Sequence, residues 1–208
     1  MSTITALRTG KQDKKRVNLF LDGKFAFSLE TDKVAREGLR VGLELTGDRL
    51  DALLGSLKLS RCLDAAYRYL SYRPRSEAEL RERLGRRGFP AEHISAALDK
   101  LKEQGLLDDA AFARFWAENR ATFRPRSRAI TRRELHQKGV PEEVIREAVS
   151  EIDEVESAYR AALSKVRRFS QFEYPEFRQR LGEFLRRRGF NYDIINRTIK
   201  KVWEERKE

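Results

Sequence analysis

Cysteine is almost missing from this sequence. Cys62 stands alone among 208 residues, so no internal disulfide framework can hold the chain. It lies in an apolar helical pattern with Leu59, Leu63 and Ala66 and reads as a small core residue. Histidine is nearly as scarce: His93 and His136 are the two, and neither has a partner at metal-ligand spacing. Gly-x-Gly-x-x-Gly, P-loop and His-Glu-x-x-His motifs are absent. No nucleophile and base are proposed by the pattern, so the expectation is a non-enzyme with no cofactor and no metal. No apolar run approaches the roughly 18 residues of a membrane span. The opening Met1-Ser2-Thr3-Ile4-Thr5-Ala6 is not built like a secretory signal. A reducing cytoplasm, with no membrane partner, is the expected location.

Charge is plentiful and unbalanced. Lys and Arg number 44 against 33 Asp and Glu, a net +11. Such a surplus favours a polyanionic partner, of which nucleic acid is the usual one. The acids are too many for a plain basic tail, and 40% hydrophobic residues can fill several small cores.

The first 30 residues alternate. Val17, Leu19 and Leu21 precede Asp22-Gly23, and Phe25, Phe27 and Leu29 follow it. Two alternating runs about Asp-Gly predict a β-hairpin with a type I′ turn. Ile4, Ala6 and Arg8 are candidates for a third strand. A lone hairpin is marginal in water, so it must dock on something. Thr31 to Glu37 reads as a short helix ended by Gly38.

From Asp48 onward the periodicity is helical, beginning with Leu50, Leu53, Leu54 and Leu57. Three stretches then align on a glycine: Gly88, Gly139 and Gly189, 51 and 50 residues apart. Leu84, Leu135 and Leu185 precede the glycine by four. Phe89, Val140 and Phe190 follow it directly. Ile94, Ile145 and Ile195 stand six after it, Leu98, Val149 and Ile199 ten after, and Leu101, Ile152 and Val202 thirteen after. A period near 50 marks a repeated supersecondary unit. The glycine closes one helix in the left-handed conformation. Pro90 and Pro141 open the next. Pro74, Pro125 and Pro175 precede the middle helix, where Ser76 and Glu79 suit a capping box. A further helix precedes each unit's early proline, with Phe112, Phe115 and Trp116 expected in the second core. The fold class is therefore mainly α: three tandem three-helix repeats, winged-helix-like units without clear wings, after a small β-hairpin extension. The expected boundaries are 1–47 for the extension, 48–107 for repeat 1 with a leading helix, 108–154 for repeat 2 and 155–208 for repeat 3.

Basic residues are the candidate contacts. Arg-Pro-Arg-Ser occurs at 73–76 and at 124–127, each copy after an aromatic, Tyr72 or Phe123. The pairs Arg73 with Arg75 and Arg124 with Arg126 are read as exposed loops at a helix N-terminus, suited to phosphate or carboxylate. Capping of neighbouring helices, or pairing with acids of the same unit, explains them equally well. Arg87, Lys138 and Arg188, just before the repeat glycines, complement a helix dipole. The clusters Arg86-Arg87 and Arg186-Arg187-Arg188 exceed that need and join Arg132 and Arg133 as candidates for a polyanion. Tyr67, Tyr69, Phe115, Trp116 and Trp203 could stack on bases, although helical spacing assigns such rings more readily to a core.

These residues carry a resemblance. The run Pro74-Arg75-Ser76 with Glu79, Leu80, Leu84 and Gly88-Phe89 resembles the first repeat of the RecX family, regulators of the RecA recombinase. Gly105-Leu106-Leu107-Asp108-Asp109 with Phe112, Ala113 and Trp116 resembles the join to the second repeat. Glu134-Leu135, Lys138, Gly139 and Val140 resemble the second repeat itself. The hairpin with Arg16-Val17 and Asp22-Gly23 resembles the N-terminal extension of longer members. The third repeat, with Asn191 in place of proline, matches least. The resemblance implies a curved array that binds the groove of the RecA–single-stranded-DNA filament as a monomer. It implies limits on filament growth, strand exchange, ATPase and co-protease activity in DNA repair and the SOS response. The rival reading is a helix-turn-helix regulator of double-stranded DNA. Basic charge spread over three units, with no dimerisation heptad, favours the first.

Overall fold

The structure is a computed structural model and describes residues 1–9 and 15–206. The chain divides into two compact units, Met1–Ala65 with Phe89–Ala97, and Ala66–Gly88 with Leu98–Glu208.

In the first unit the hairpin forms as its turn chemistry requires. Asp22 has φ 48° and Gly23 φ 81°, between β2 (Arg16–Leu21) and β3 (Lys24–Glu30). β1 (Ser2–Thr9) pairs antiparallel with β2, as Ile4, Ala6 and Arg8 predict. A fourth strand, β4 (Glu44–Leu45), extends the sheet to the order β3-β2-β1-β4. Two residues carry no periodic signal, so the sequence did not announce it. Alternation places Ile4, Leu19, Phe27 and Leu29 on one face, and Leu53 and Leu57 of α2 (Gly47–Tyr72) complete that core. The helix thus supplies the second layer that a hairpin lacks. α1 (Thr31–Arg36) ends at Gly38, whose φ is 60°. α2 is one continuous helix of 26 residues, where the periodicity separates a leading helix from the first repeat helix; Gly55 lies inside it without breaking it.

The repeats follow as α3 (Glu77–Arg86) and α4 (Ala91–Glu103), then α5 (Asp109–Phe123), α6 (Arg128–Gln137) and α7 (Glu142–Ser150), then α8 (Glu154–Phe169), α9 (Tyr174–Arg187) and α10 (Tyr192–Glu205). Gly88, Gly139 and Gly189 have φ of 82°, 69° and 86°. Their N–H groups bond to Gly85, His136 and Arg186 carbonyls, a left-handed closure that glycine enters without steric cost. Pro90 and Pro141 stand immediately before the next helix rather than inside it, and their carbonyls accept from Ile94 and Ile145 N–H. Asn191 caps α10 by accepting from Ile194 N–H. Pro175 lies within the first turn of α9, not ahead of it, because α9 starts earlier and has 14 residues where α3 and α6 have 10.

The second and third repeats have separate cores. Phe112, Leu135, Val140, Ile145 and Val149 fill one, and Phe177, Leu181, Leu185, Phe190, Ile199 and Val202 the other. Burying each such side chain contributes about 1.5–3 kcal/mol. The first helix of each unit presents small residues inward: Ala113 and Ala117 in α5, and Ala158, Ala161 and Ala162 in α8. Phe115 and Leu163 are consequently exposed, which corrects the assignment of Phe115 to the core. Trp116 is half-buried and packs against the second core. Cys62 is buried as expected, and burial pushes its thiol pKa up.

The repeat glycines also set how repeats meet. A methyl group on Gly139 would overlap the Ala78 methyl at the start of α3, and one on Gly189 would overlap Ile130 and Ser127 at the start of α6. Gly88 has open space around the same position. Gly88→Ala is therefore expected to cost about 1–2 kcal/mol from the left-handed backbone alone. Gly139→Ala should cost a further 1–3 kcal/mol for overpacking, read as the difference in urea unfolding free energy.

Candidate functional site

Both Arg-Pro-Arg-Ser loops lie where one repeat receives the next. In the first loop Ser76 Oγ accepts from Glu79 N–H at 3.2 Å and donates to the Lys138 carbonyl at 2.5 Å. The capping box is only half formed, because the Glu79 carboxylate is engaged elsewhere. Arg73 donates to it through both terminal nitrogens, at 3.1 and 2.9 Å. Lys138 Nζ donates to it at 2.8 Å. Burial raises the Glu79 pKa, but the hydrogen bonds from Arg73 and Lys138 outweigh it and bring it down to about 2. Arg75 is buried. Its Nε donates to the Tyr69 carbonyl at 3.0 Å. Burial, then the neighbouring Arg73 and Arg83, lower its pKa from the arginine range.

The second loop repeats the plan with other partners. Ser127 Oγ accepts from Ile130 N–H, and Ser127 N–H donates to the Arg188 carbonyl at 3.0 Å. Arg188 Nη1 donates to the Pro125 carbonyl at 2.8 Å, with its guanidinium 4.5 Å from the centre of the Phe184 ring. Burial, then Arg126 and Arg124, lower the Arg188 pKa. Arg126 pairs with Glu134 at 3.2 Å.

The helix N-termini beside both loops are filled from within. Glu77 N–H donates to Asp109 Oδ1 at 2.8 Å, and Arg128 N–H donates to Glu154 Oε1 at 2.8 Å. Each carboxylate belongs to the first residue of the following repeat's first helix. This corrects the expectation that these helix N-termini stand open to a phosphate. Burial raises the Asp109 pKa. Asp108-Asp109 belongs to the family pattern, and its 45-residue offset to Asp153-Glu154 is the sequence signal for its role.

The twelve candidates are thus divided rather than gathered. Arg73, Arg75, Arg126, Lys138 and Arg188 are built into the loops and joints, which corrects the reading of these loop arginines as exposed for Arg73, Arg75 and Arg126 but not for Arg124. Arg86, Arg132 and Arg187 make pairs with Glu82, Glu142 and Glu183, partly exposed and weakly stabilising. Arg87, Arg124, Arg133 and Arg186 are exposed and, among the described residues, form no ion pair. Of the candidate stacking rings, Tyr67 donates its hydroxyl to Gln104 and Trp116 Nε1 donates to Glu134. Trp203 packs on Tyr174 and Phe177. Tyr72 and Phe123, noted in the sequence only as neighbours of the loops, are 78% and 74% exposed. Among the described residues, no group of three His, Cys, Asp or Glu could hold a metal, and no helix is long and apolar enough to cross a membrane.

Tandem three-helix modules joined through polar loops define a repeat-type protein, and comparison with known proteins names the group. The model "Regulatory protein RecX N-terminal domain" matches residues 2–46. The first, second and third RecX three-helix domains match 62–101, 108–149 and 151–199. The chain is 32% identical over 207 residues to the Regulatory protein RecX of Clostridium botulinum, covering 97% of each. It is 30% identical over 212 residues to that of Bacillus pumilus, covering 100% of this chain and 80% of the other. A crystal structure of regulatory protein RecX superposes with TM-score 0.71 at 27% identity, over 97% of this chain and all of that one. The chain belongs to the RecX family of regulatory proteins.

Glu79 provides a test of the joint between the first two repeats. Its folded pKa of about 2 lies below the ordinary 4.5, so its stabilisation is present above pH 4.5 and is lost as pH falls toward 2. Glu79→Gln should remove about 3 kcal/mol at pH 7 and flatten the acid limb of stability against pH. Urea unfolding at pH 7, 5 and 3 measures both.

Proposed function

We propose that this protein is a modulator, mainly an inhibitor, of RecA. It binds the groove of the RecA–single-stranded-DNA filament as a monomer in the cytoplasm and limits filament growth. Strand exchange, ATPase and co-protease activity fall as a consequence, in DNA repair and the SOS response. The observation that carries this reading is membership of the RecX family along nearly the whole chain. Arg87, Arg124, Arg133 and Arg186, spread over three repeats, support it, since a polymeric polyanion can meet successive modules.

The reading as a double-stranded-DNA regulator is less well supported. The third helix of each unit would hold the recognition position, whose N-terminal residues meet base edges. Those first turns carry Glu92 in α4, Glu142 and Glu143 in α7, and Asp193 in α10. Carboxylates there repel the phosphates that flank a groove.

The purified protein is expected to suppress RecA-catalysed strand exchange at substoichiometric amounts. Changing Arg87, Arg124, Arg133 and Arg186 together to Ala should weaken filament binding at least about tenfold and lower its salt slope, with circular dichroism unchanged. Strand exchange and ATP hydrolysis unaffected across a wide titration would overturn the reading.

A further inference from the structure

We infer that the groove between α9 and α10 of the third repeat docks an extended acidic segment of a partner protein, whose large apolar side chain seats on Ile195 and Ile199. The groove has a volume of about 510 Å³, and Gly182, Tyr192, Arg178 and Arg186 line it with the two isoleucines. The register explains why it is open here. Gly182 stands where the second repeat has Arg132, Tyr192 where it has Glu142, and Arg186 where it has His136, each 50 residues earlier. In the second repeat those three bridge α6 and α7. Arg132 donates to Glu142 Oε1, and His136 Nε2 lies 2.6 Å from Glu142 Oε2. The third repeat has lost both halves of that bridge. A methyl group on Gly182 would lie 3.6 Å from Ile199 Cδ1 and 3.8 Å from Ile195 Cγ2, ordinary contact distances. The place has room for a side chain, yet α9 sets there a glycine, which weakens a helix interior relative to alanine.

The rim carries the charge. Arg178, Gly182 and Arg186 follow at i, i+4 and i+8 along α9, so they form one stripe. Both arginines are exposed and, among the described residues, form no ion pair. The acid on the lining, Glu183, already faces Arg187 at 3.9 Å and accepts from Gln179 Nε2 at 3.4 Å. Eight residues of helix set the two cations about 12 Å apart along the axis. An extended chain covers that distance in about four residues, and its residues i, i+2 and i+4 share one face. The complementary segment is therefore a carboxylate, a spacer, a large apolar residue, a spacer and a second carboxylate.

A nucleic-acid strand fits this groove less well. The side chains of Ile195 and Ile199 make no hydrogen bonds, so a base seated on them leaves its donors and acceptors unpaired. A leucine or phenylalanine side chain has none to leave. The site is an open groove rather than an enclosed cavity. That suits a peptide that enters and leaves more than a small molecule, whose sites bury most of the ligand. This inference concerns a protein segment and does not rest on the filament reading.

The test uses the full chain and a fluorescein-labelled peptide, Ser-Glu-Ser-Phe-Ser-Glu-Ser, read by fluorescence anisotropy. Gly182→Leu fills the groove from within. It should weaken peptide binding at least about tenfold and melt no lower than the unaltered protein. Arg178→Glu combined with Arg186→Glu should weaken binding at least about tenfold as well. Peptides with Ala for Phe, or with Gln for both Glu, should each bind the unaltered protein about tenfold more weakly. The proposal is overturned if the unaltered protein does not bind the peptide at up to about 1 mM, if Gly182→Leu binds it equally well, or if the Ala-for-Phe peptide binds as tightly. Should Gly182→Leu melt lower, Gly182→Ala, whose methyl group the groove accepts, decides: unchanged binding overturns the proposal and weakened binding supports it. Binding of oligothymidylate, or self-association, that is lost in Gly182→Leu while no peptide binds would overturn it in favour of a strand or a second copy.

Discussion

Everything in the two later repeats depends on how a left-handed glycine turn docks against a serine-capped helix start. A helix must close before the next can open, and glycine closes it without a side chain. The missing side chain then serves a second purpose: it lets the backbone of Lys138-Gly139 approach Ser76 and Ala78, and that of Arg188-Gly189 approach Ser127 and Ile130. The carbonyl at the helix C-cap finds a serine donor, and the exposed N–H groups of the receiving helix find Asp109 or Glu154. Orphan groups at two helix ends are thus satisfied across one joint.

The joint also explains how the positive charge is used. A basic residue at the helix C-cap complements the dipole of its own helix, and in the second and third repeats it reaches the preceding repeat as well. Lys138 bonds Glu79, and Arg188 bonds the Pro125 carbonyl. Arg87 occupies the same place in the first repeat, where Gly88 has open space, and it remains exposed. One sequence position therefore does internal work in two repeats and is available to a partner in the other. Family membership supplies the class of regulator; the division of arginines into paired and unpaired sets supplies the residues that can act outward.

Much of this was legible from the residues. The Asp22-Gly23 turn, the glycine register and the three-helix unit follow from local rules that act within a few residues. Other features were not. The spacing of Phe115 from Phe112 fits a helical core stripe, but α5 turns its alanines inward and leaves Phe115 exposed. Small side chains let helices approach closely, and hydropathy underweights them. The register with Pro74 and Pro125 predicts Pro175 before its helix, while α9 begins earlier, at Tyr174. Nothing local shows that residues some 60 positions later cover Ser76 of one Arg-Pro-Arg-Ser loop and Pro125 and Ser127 of the other.

The sequence by itself determined the period, the helix ends and the hairpin, because caps and turns are made by neighbours along the chain. It also determined the surplus of cations. Only the tertiary structure decided which cations are free, because a carboxylate neutralises an arginine according to distance in space. Glu79 is claimed by Arg73 and Lys138, and Glu134 by Arg120 and Arg126, while Arg75 and Arg83 each approach the Tyr69 ring and, among the described residues, form no ion pair. Counting charges along the chain could not separate these cases; folding did.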